Sequence, residues 1–325
     1  MTASSAILHA YAIDREGVAR KIEGDDIAPA LESSELAWVH LDANEQGCKS
    51  WLESNVAYLD DMIIDALLAE ETRPRYLEID QGALLILRGV NLNENARPED
   101  MVSIRMWIDA HRIVSVRLRR LKAVVDIRER LDVGTGPKNA GELLVQLISR
   151  LFERMEPVFS ELDEALDNVE EAVMETPDAK YRQVITSIRK QAIVFRRYIA
   201  PQRDVISALR VSEQPWLDQQ HKRRLQESLD RVIRYIEDID TIRERAQIVK
   251  DELANALSDK MNKNLYMLSV VAAVFLPLGF LTGLLGINVG GIPGAENANS
   301  FLIFCGILIV VIAGQIALFK KLKWF

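Results

Sequence analysis

Apolar and β-branched residues in the first 120 positions come in short runs, at 7–13, 36–41, 83–90, 102–109 and 112–116, with polar stretches between them. Runs of this length predict strands, and the longer amphipathic stretches at 48–56 and 61–70 predict intervening helices. The pattern changes at about Lys122. Segments 139–174, 178–209 and 216–259 are rich in Glu, Leu, Arg, Ala and Gln, and are separated by Thr176-Pro177 and by a break at 212–215. These segments predict long helices. Pro157 and Pro201 fall inside the first two, where a proline kinks or ends a helix unless neighbours compensate for its missing N–H.

The third helical segment carries the clearest stripe. Leu229, Ile233, Ile236, Ile239, Ile242, Ala246, Val249, Leu253 and Leu257 recur every three or four residues, placing one apolar face opposite a charged one. No Gly or Pro interrupts the pattern before Pro277, so one helix is expected over 216–285, roughly 100 Å at about 1.5 Å per residue. Such a helix requires partners, either the preceding helices of the chain or further copies around an axis. Beyond residue 263 the charged face disappears. Stretches 265–285 and 301–319 contain no Asp, Glu, Lys, Arg or His, and each matches the roughly 20 residues that cross about 30 Å of hydrocarbon. Two transmembrane helices are expected.

Mean hydropathy of +0.00 averages this apolar tail with a charge-rich remainder. The opening MTASSAILHAYAIDREG lacks the basic region and sustained apolar core of a secretory signal. Lys260 and Lys263 precede the first apolar run, Lys320, Lys321 and Lys323 follow the second, and the joining loop has no Lys, Arg or His. By the positive-inside rule both termini face the cytoplasm. A net charge of -8 argues against a nucleic-acid partner. The acidity is local: between Glu153 and Asp178 the only base is Arg154. Such a run is ordinarily a solvated helical face, and it would also concentrate cations. Glu161, Glu164 and Asp167 are candidates for cation attraction or regulation, as are Asp251, Glu252 and Asp259 on the long helix. Cys48 and Cys305 fall in different compartments by this topology, so no disulfide joins them. His9, His40, His111 and His221 are scattered along the chain and fit structural roles. With no phosphate loop, H-E-x-x-H or C-x-x-C, no enzyme activity, catalytic residue or cofactor is assigned.

Two spans per chain cannot enclose an aqueous path, so a channel requires an oligomer. On the first span Asn262, Leu265, Ser269, Ala272, Leu276, Gly279, Gly283 and Gly286 recur every three or four residues. This stripe suits a pore lining, and equally close helix packing through a small-xxx-small pattern. The stretch GINVGGIPG follows at 286–294. Asn288 within it is either a turn residue or, under rotational symmetry, one member of an amide ring. Such a ring would hold a divalent cation through its hydrating water without stripping it. Both readings stay open on chemistry alone.

G-I-N at 286–288, just after F-L-P at 275–277 and followed by a second span and a basic C-terminus, resembles the CorA superfamily of divalent-cation transporters. The usual motif there is G-M-N; the isoleucine and the glycine-rich continuation are similar to its ZntB zinc-transporter branch. The resemblance implies an α+β cytoplasmic domain followed by long helices and two C-terminal transmembrane helices, assembled as a funnel-shaped homopentamer in the bacterial inner membrane. The segments would be a cytoplasmic α/β domain at 1–120, a helical region with stalk at 121–263, the pore-lining helix at 264–285, a periplasmic loop at 286–300, the second helix at 301–319 and a basic tail at 320–325. It implies Asn288 as the ring residue, shaped by Gly286 and Ile287, with Asn262, Leu265, Leu268, Leu276, Gly279 and Gly283 facing the pore. The implied cargo is Zn²⁺, with Cd²⁺, Ni²⁺, Co²⁺ and Mg²⁺ as related cations, and the implied surroundings are the sister subunits and membrane lipid. Leu276 and Gly279 replace a frequent Met and Thr, which puts a mid-pore hydroxyl site in doubt, and Glu296 is the only acid in the loop. The alternatives are a Mg²⁺/Co²⁺/Ni²⁺ channel gated by intracellular Mg²⁺ and, in another class, a membrane-anchored sensor or scaffold.

Overall fold

The computed structural model describes residues 3–70, 72–286, 294 and 297–321. Five apolar runs become the central strands β1 (Ile7–Ile13), β3 (Leu36–Asp42), β5 (Gly82–Gly89), β6 (Val102–Ile108) and β7 (Arg112–Arg117). With β2 (Ala19–Lys21) and β4 (Arg75–Ile79) they form one seven-stranded sheet, ordered β2-β1-β3-β7-β6-β5-β4. β3 and β7 run parallel, from Ala37 opposite Arg112 to Asp42 opposite Arg117. The remaining neighbours are antiparallel. The edge strands β2 and β4 escape a hydrophobicity reading because they are short and charged, which is also how edges avoid pairing with other chains.

Helices cover both faces of the sheet, which explains why the central strands are apolar almost throughout. On one face lie α1 (Ile27–Glu32), α2 (Gly47–Asn55) and α3 (Asp61–Leu68). Leu31, Trp51, Leu52, Ile64 and Leu67 pack there with Val39, Leu41, Val114 and Val116. On the other, α5 (Ala140–Glu153) meets β5, and α7 (Tyr181–Val211) meets β4 and β5. Between β7 and α5 runs α4 (Lys122–Asp132).

The stretch expected as one helix over 139–174 is two. Helix α5 stops at Glu153 and α6 (Glu156–Glu175) starts with Pro157 in its first turn, where a missing N–H costs no helical bond. Pro201 instead lies within α7, which continues to Val211. Helix α8 (Gln219–Leu285) spans 67 residues and contains Pro277. It begins three residues later than expected, because Asp218 caps it. The Asp218 carboxylate accepts from the His221 N–H at 2.8 Å, and His221 Nδ1 accepts from the Asp218 N–H at 3.2 Å.

The chain divides into two compact units: Met1–Thr176 with Lys180–Asp251, and Pro177–Ala179 with Glu252–Phe325. In the first, α8 buries Leu225, Leu229, Val232, Ile239, Ala246 and Val249. Arg196 on α7 pairs with Asp240 on α8 at 2.6 Å. In the second, α8 continues through the apolar run, and α9 (Ser300–Lys321) is, among the described residues, the other helix long and apolar enough to cross a membrane.

Candidate functional site

Within the apolar run 265–285, the residues of α8 that lose exposure are Val270, Ala273, Val274, Leu278 and Leu281, at helical spacing. Over 301–319 of α9 the matching set is Phe304, Cys305, Leu308, Val311, Gln315 and Phe319. One hydrogen bond joins the two sets: Gln315 Nε2 donates to the Ala273 carbonyl at 3.3 Å. Ala273 lies four residues before Pro277, so its oxygen is the acceptor that the proline leaves without an in-helix donor. Sequence reasoning passed over Gln315, although it is the only amide side chain within 301–319.

The candidate pore residues lie on the other side of α8. At about 100° per residue, Leu265, Leu276, Gly279 and Gly283 sit roughly half a turn away from the face turned to α9. Leu265, Leu268 and Leu276 are 54%, 65% and 76% exposed, and Asn262 is exposed as well. A Cβ added at Gly279 or Gly283 would meet nothing within 4 Å. Among the described residues these glycines therefore admit no close helix packing within the chain. Gly286 differs: a Cβ there would stand 2.8 Å from the Thr282 carbonyl oxygen, to which the Gly286 N–H donates at 2.9 Å. The close approach at the end of α8 requires glycine. Ile287 and Asn288 lie outside the described residues.

The acidic candidates belong to the first unit and the start of the second. Arg245 on α8 reaches three carboxylates of α6: Asp163 at 3.1 Å, Asp167 at 2.5 Å and Glu170 at 2.6 Å. The paired acids hold the Arg245 guanidinium firmly charged, Asp167 and Glu170 contributing most. Part of the acidic run is thus neutralised internally, while Glu161 and Glu164 remain exposed. Asp251 accepts from the Gln247 side chain at 2.9 Å, and Glu252 and Asp259 are exposed. Among the described residues, no three His, Cys, Asp or Glu side chains group as ligands for a metal ion.

The histidines are not all scattered. His9 and His40 are partners across β1 and β3, with ring centroids 4.8 Å apart. His40 Nδ1 and Trp38 Nε1 both meet Ser115 Oγ at 2.8 Å. Burial, with Arg128 and Arg117 adding to it, lowers the His9 pKa from its ordinary 6.5 to about 4. Burial likewise holds His40 well below that ordinary value. Both rings are neutral structural parts.

Three comparisons place this architecture. The family model described as "CorA-like Mg2+ transporter protein" matches residues 33–321. The chain is 36% identical over 320 residues to "Zinc transport protein ZntB" of Yersinia enterocolitica, covering 98% of this chain and 96% of that protein. It is 38% identical over 321 residues to "Divalent cation transporter CmaX" of Pseudomonas aeruginosa, with the same coverage. The solved full-length CmaX protein superposes with a TM-score of 0.85 at 36% identity, covering 98% of both chains. With a family match over most of its length and relatives this similar from end to end, the chain belongs to the CorA-like Mg2+ transporter family.

Proposed function

We propose that this chain is a divalent-cation transporter whose principal cargo is Zn²⁺, working as a homopentamer in the bacterial inner membrane with both termini cytoplasmic. The observation that carries the reading is the open face of α8: Leu265, Leu268, Leu276, Gly279 and Gly283 are turned away from α9 and exposed among the described residues. Two helices cannot enclose water, so this face lines a path only when several copies meet around an axis. Asn288, two residues beyond Gly286, then forms the ring that holds the hydrated cation through its water. The leucine rings at 276, 268 and 265 form apolar constrictions that gate by dewetting.

The zinc assignment rests on the relative named for zinc transport and on Ile287 within the G-I-N motif. Spans 265–285 and 301–319 carry no ionisable Asp, Glu, His, Lys or Arg, so any proton coupled to transport is handled outside them, with Asp251, Glu252, Asp259, Glu161 and Glu164 as candidate carriers. A Mg²⁺ channel is the second reading, favoured by the family model's description. Competing Zn²⁺ and Mg²⁺ uptake into proteoliposomes separates the two. The pore assignment is tested by Asn288→Ala in the same vesicles: Zn²⁺ flux falls at least tenfold, and unchanged flux refutes it.

A further inference from the structure

The start of the first apolar run and the end of the second carry charges that the proposed pore does not use. The hydrogen bond from Gln315 to Ala273 fixes the level at which α8 and α9 meet, and Val270 and Phe319 are the last members of the two facing sets at this end. The helices therefore run antiparallel. From that bond, at about 1.5 Å per residue, Lys320 and Lys321 stand roughly 8 and 9 Å further along α9, and Lys263 and Lys260 roughly 15 and 20 Å along α8 in the same direction. The charge-free run of α9 ends at Phe319. Lys320 and Lys321 thus mark the hydrocarbon edge, and Lys263 falls in the headgroup layer of roughly 5 to 8 Å above it. Lys260, about one turn higher, is within reach of that layer on its flexible stem.

All four lysines are exposed, and among the described residues none makes an ion pair. Over 259–266 and 318–325 the sequence holds these four and Lys323 against Asp259 and the carboxylate of Phe325, a surplus of three positive charges. The direction of the surplus is informative. Lys263 lies seven residues before Val270 and so continues the stripe turned to α9, while it is roughly half a turn away from Leu265 and Leu276 at about 100° per residue. It stands on the side opposite the proposed cation path. Next to the lysines on the hydrocarbon side, Met267, Val271, Ile316 and Leu318 are exposed apolar side chains. Such a surface suits acyl chains and offers nothing to a soluble anion.

We propose that Lys260, Lys263, Lys320 and Lys321 bind the phosphate headgroup of an anionic phospholipid, whose acyl chains lie along the apolar surface beside them. Ammonium groups at two heights, on two helices held in register by one hydrogen bond, bracket a phosphate from both sides. A zwitterionic lipid brings its own cation to the same place and loses most of this attraction.

The site rests on the membrane placement proposed above, and its test separates the two. Native mass spectrometry of the full-length protein in detergent counts bound lipid, with phosphatidylglycerol and phosphatidylcholine of identical acyl chains as probes. Saturable binding of phosphatidylglycerol at least tenfold tighter than phosphatidylcholine is expected. The combined substitution Lys260→Gln, Lys263→Gln, Lys320→Gln and Lys321→Gln should abolish that preference and leave phosphatidylcholine binding unchanged, whereas arginine at the same four positions should keep it. Lys190→Gln with Arg210→Gln, at exposed positions of α7, should alter neither. Equal affinity of the unaltered protein for the two lipids overturns the site and leaves the membrane placement standing; binding of neither overturns both. A preference that survives the glutamine substitutions, or a loss of both lipids alike, refutes the assignment to these lysines. Displacement of phosphatidylglycerol by equimolar glycerol 3-phosphate would mark a site for soluble anions and refute the lipid.

Discussion

The side-chain amide of Gln315 donates to the backbone oxygen of Ala273 at 3.3 Å, repairing from α9 the gap that Pro277 opens in α8. Gln315→Leu is expected to destabilise the protein by about 1 kcal/mol, the usual scale of a hydrogen bond between membrane helices. Thermal unfolding in detergent checks this. In a Pro277→Ala background position 277 regains an N–H for Ala273, so the same substitution should cost less. Equal cost in both backgrounds would show that the amide does not act through that carbonyl.

Gly286→Ala should impair transport while leaving the oligomer intact. The added methyl group would lie 2.8 Å from the Thr282 oxygen, and a backbone atom cannot swing aside as a side-chain tip can. The end of α8, which leads into the G-I-N motif, must shift. Zn²⁺ flux in vesicles, read beside size-exclusion elution of the same preparation, should show severalfold loss of the first and no change in the second.

Leu276→Ser replaces the most exposed of the three candidate constriction leucines with a side chain that holds water. If dewetting closes the path there, basal cation leak rises severalfold, measured with an indicator dye trapped in vesicles. A drop in flux would contradict a gate at this level.

Arg245→Ala leaves Asp163, Asp167 and Glu170 facing one another without their shared cation. The groups are partly exposed, so the expected cost is modest, about 1 kcal/mol. It should shrink at high salt, which screens both the lost attraction and the new repulsion. Denaturation at low and high ionic strength distinguishes this from a packing defect, whose cost would be insensitive to salt.

Acid sensitivity follows from the His9–His40 pair. An unfolded chain protonates histidine near pH 6.5, whereas folded His9 resists protonation down to about 4. Its contribution is therefore complete above about pH 6.5 and is lost as the pH falls toward 4, because only the unfolded state takes up the proton. The loss amounts to about 3 kcal/mol at most. His9→Gln should flatten this part of the stability profile, followed by melting temperature from pH 7 to pH 4.5. An unchanged slope would place the sensitivity elsewhere.

The central strands were legible because burial on both faces leaves an uninterrupted hydrophobic run, and both apolar helices because each carries about 20 residues without a charge. Elements at the margins were not. β2 reads Ala-Arg-Lys, α1 has only six residues, and the stop between Glu153 and Glu156 depends on the chain turning a corner just before Pro157. The Gly279–Gly283 stripe was visible with two meanings, and the open space beside both glycines separates them for the single chain. Gln315 gains its role only because α9 brings it level with the turn below Pro277, a tertiary coincidence that periodicity does not encode. His9 meets His40 through a register that includes an irregularity between Ile7 and His9. Ile287 and Asn288 rest on family resemblance.

Because β3 pairs in parallel with β7, Asp42 opposite Arg117, the sheet cannot close until the chain beyond residue 117 has been made. The core of the same unit then waits for α8, whose buried residues within that unit extend to Val249, only a few helical turns before the first apolar run begins at Leu265. Synthesis runs from the N-terminus, so targeting to the membrane and completion of the soluble core fall within nearly the same interval on the ribosome. A fragment cut before α8 would emerge with an uncovered hydrophobic face and aggregate, whereas one ending at Asp251 carries every residue of that unit.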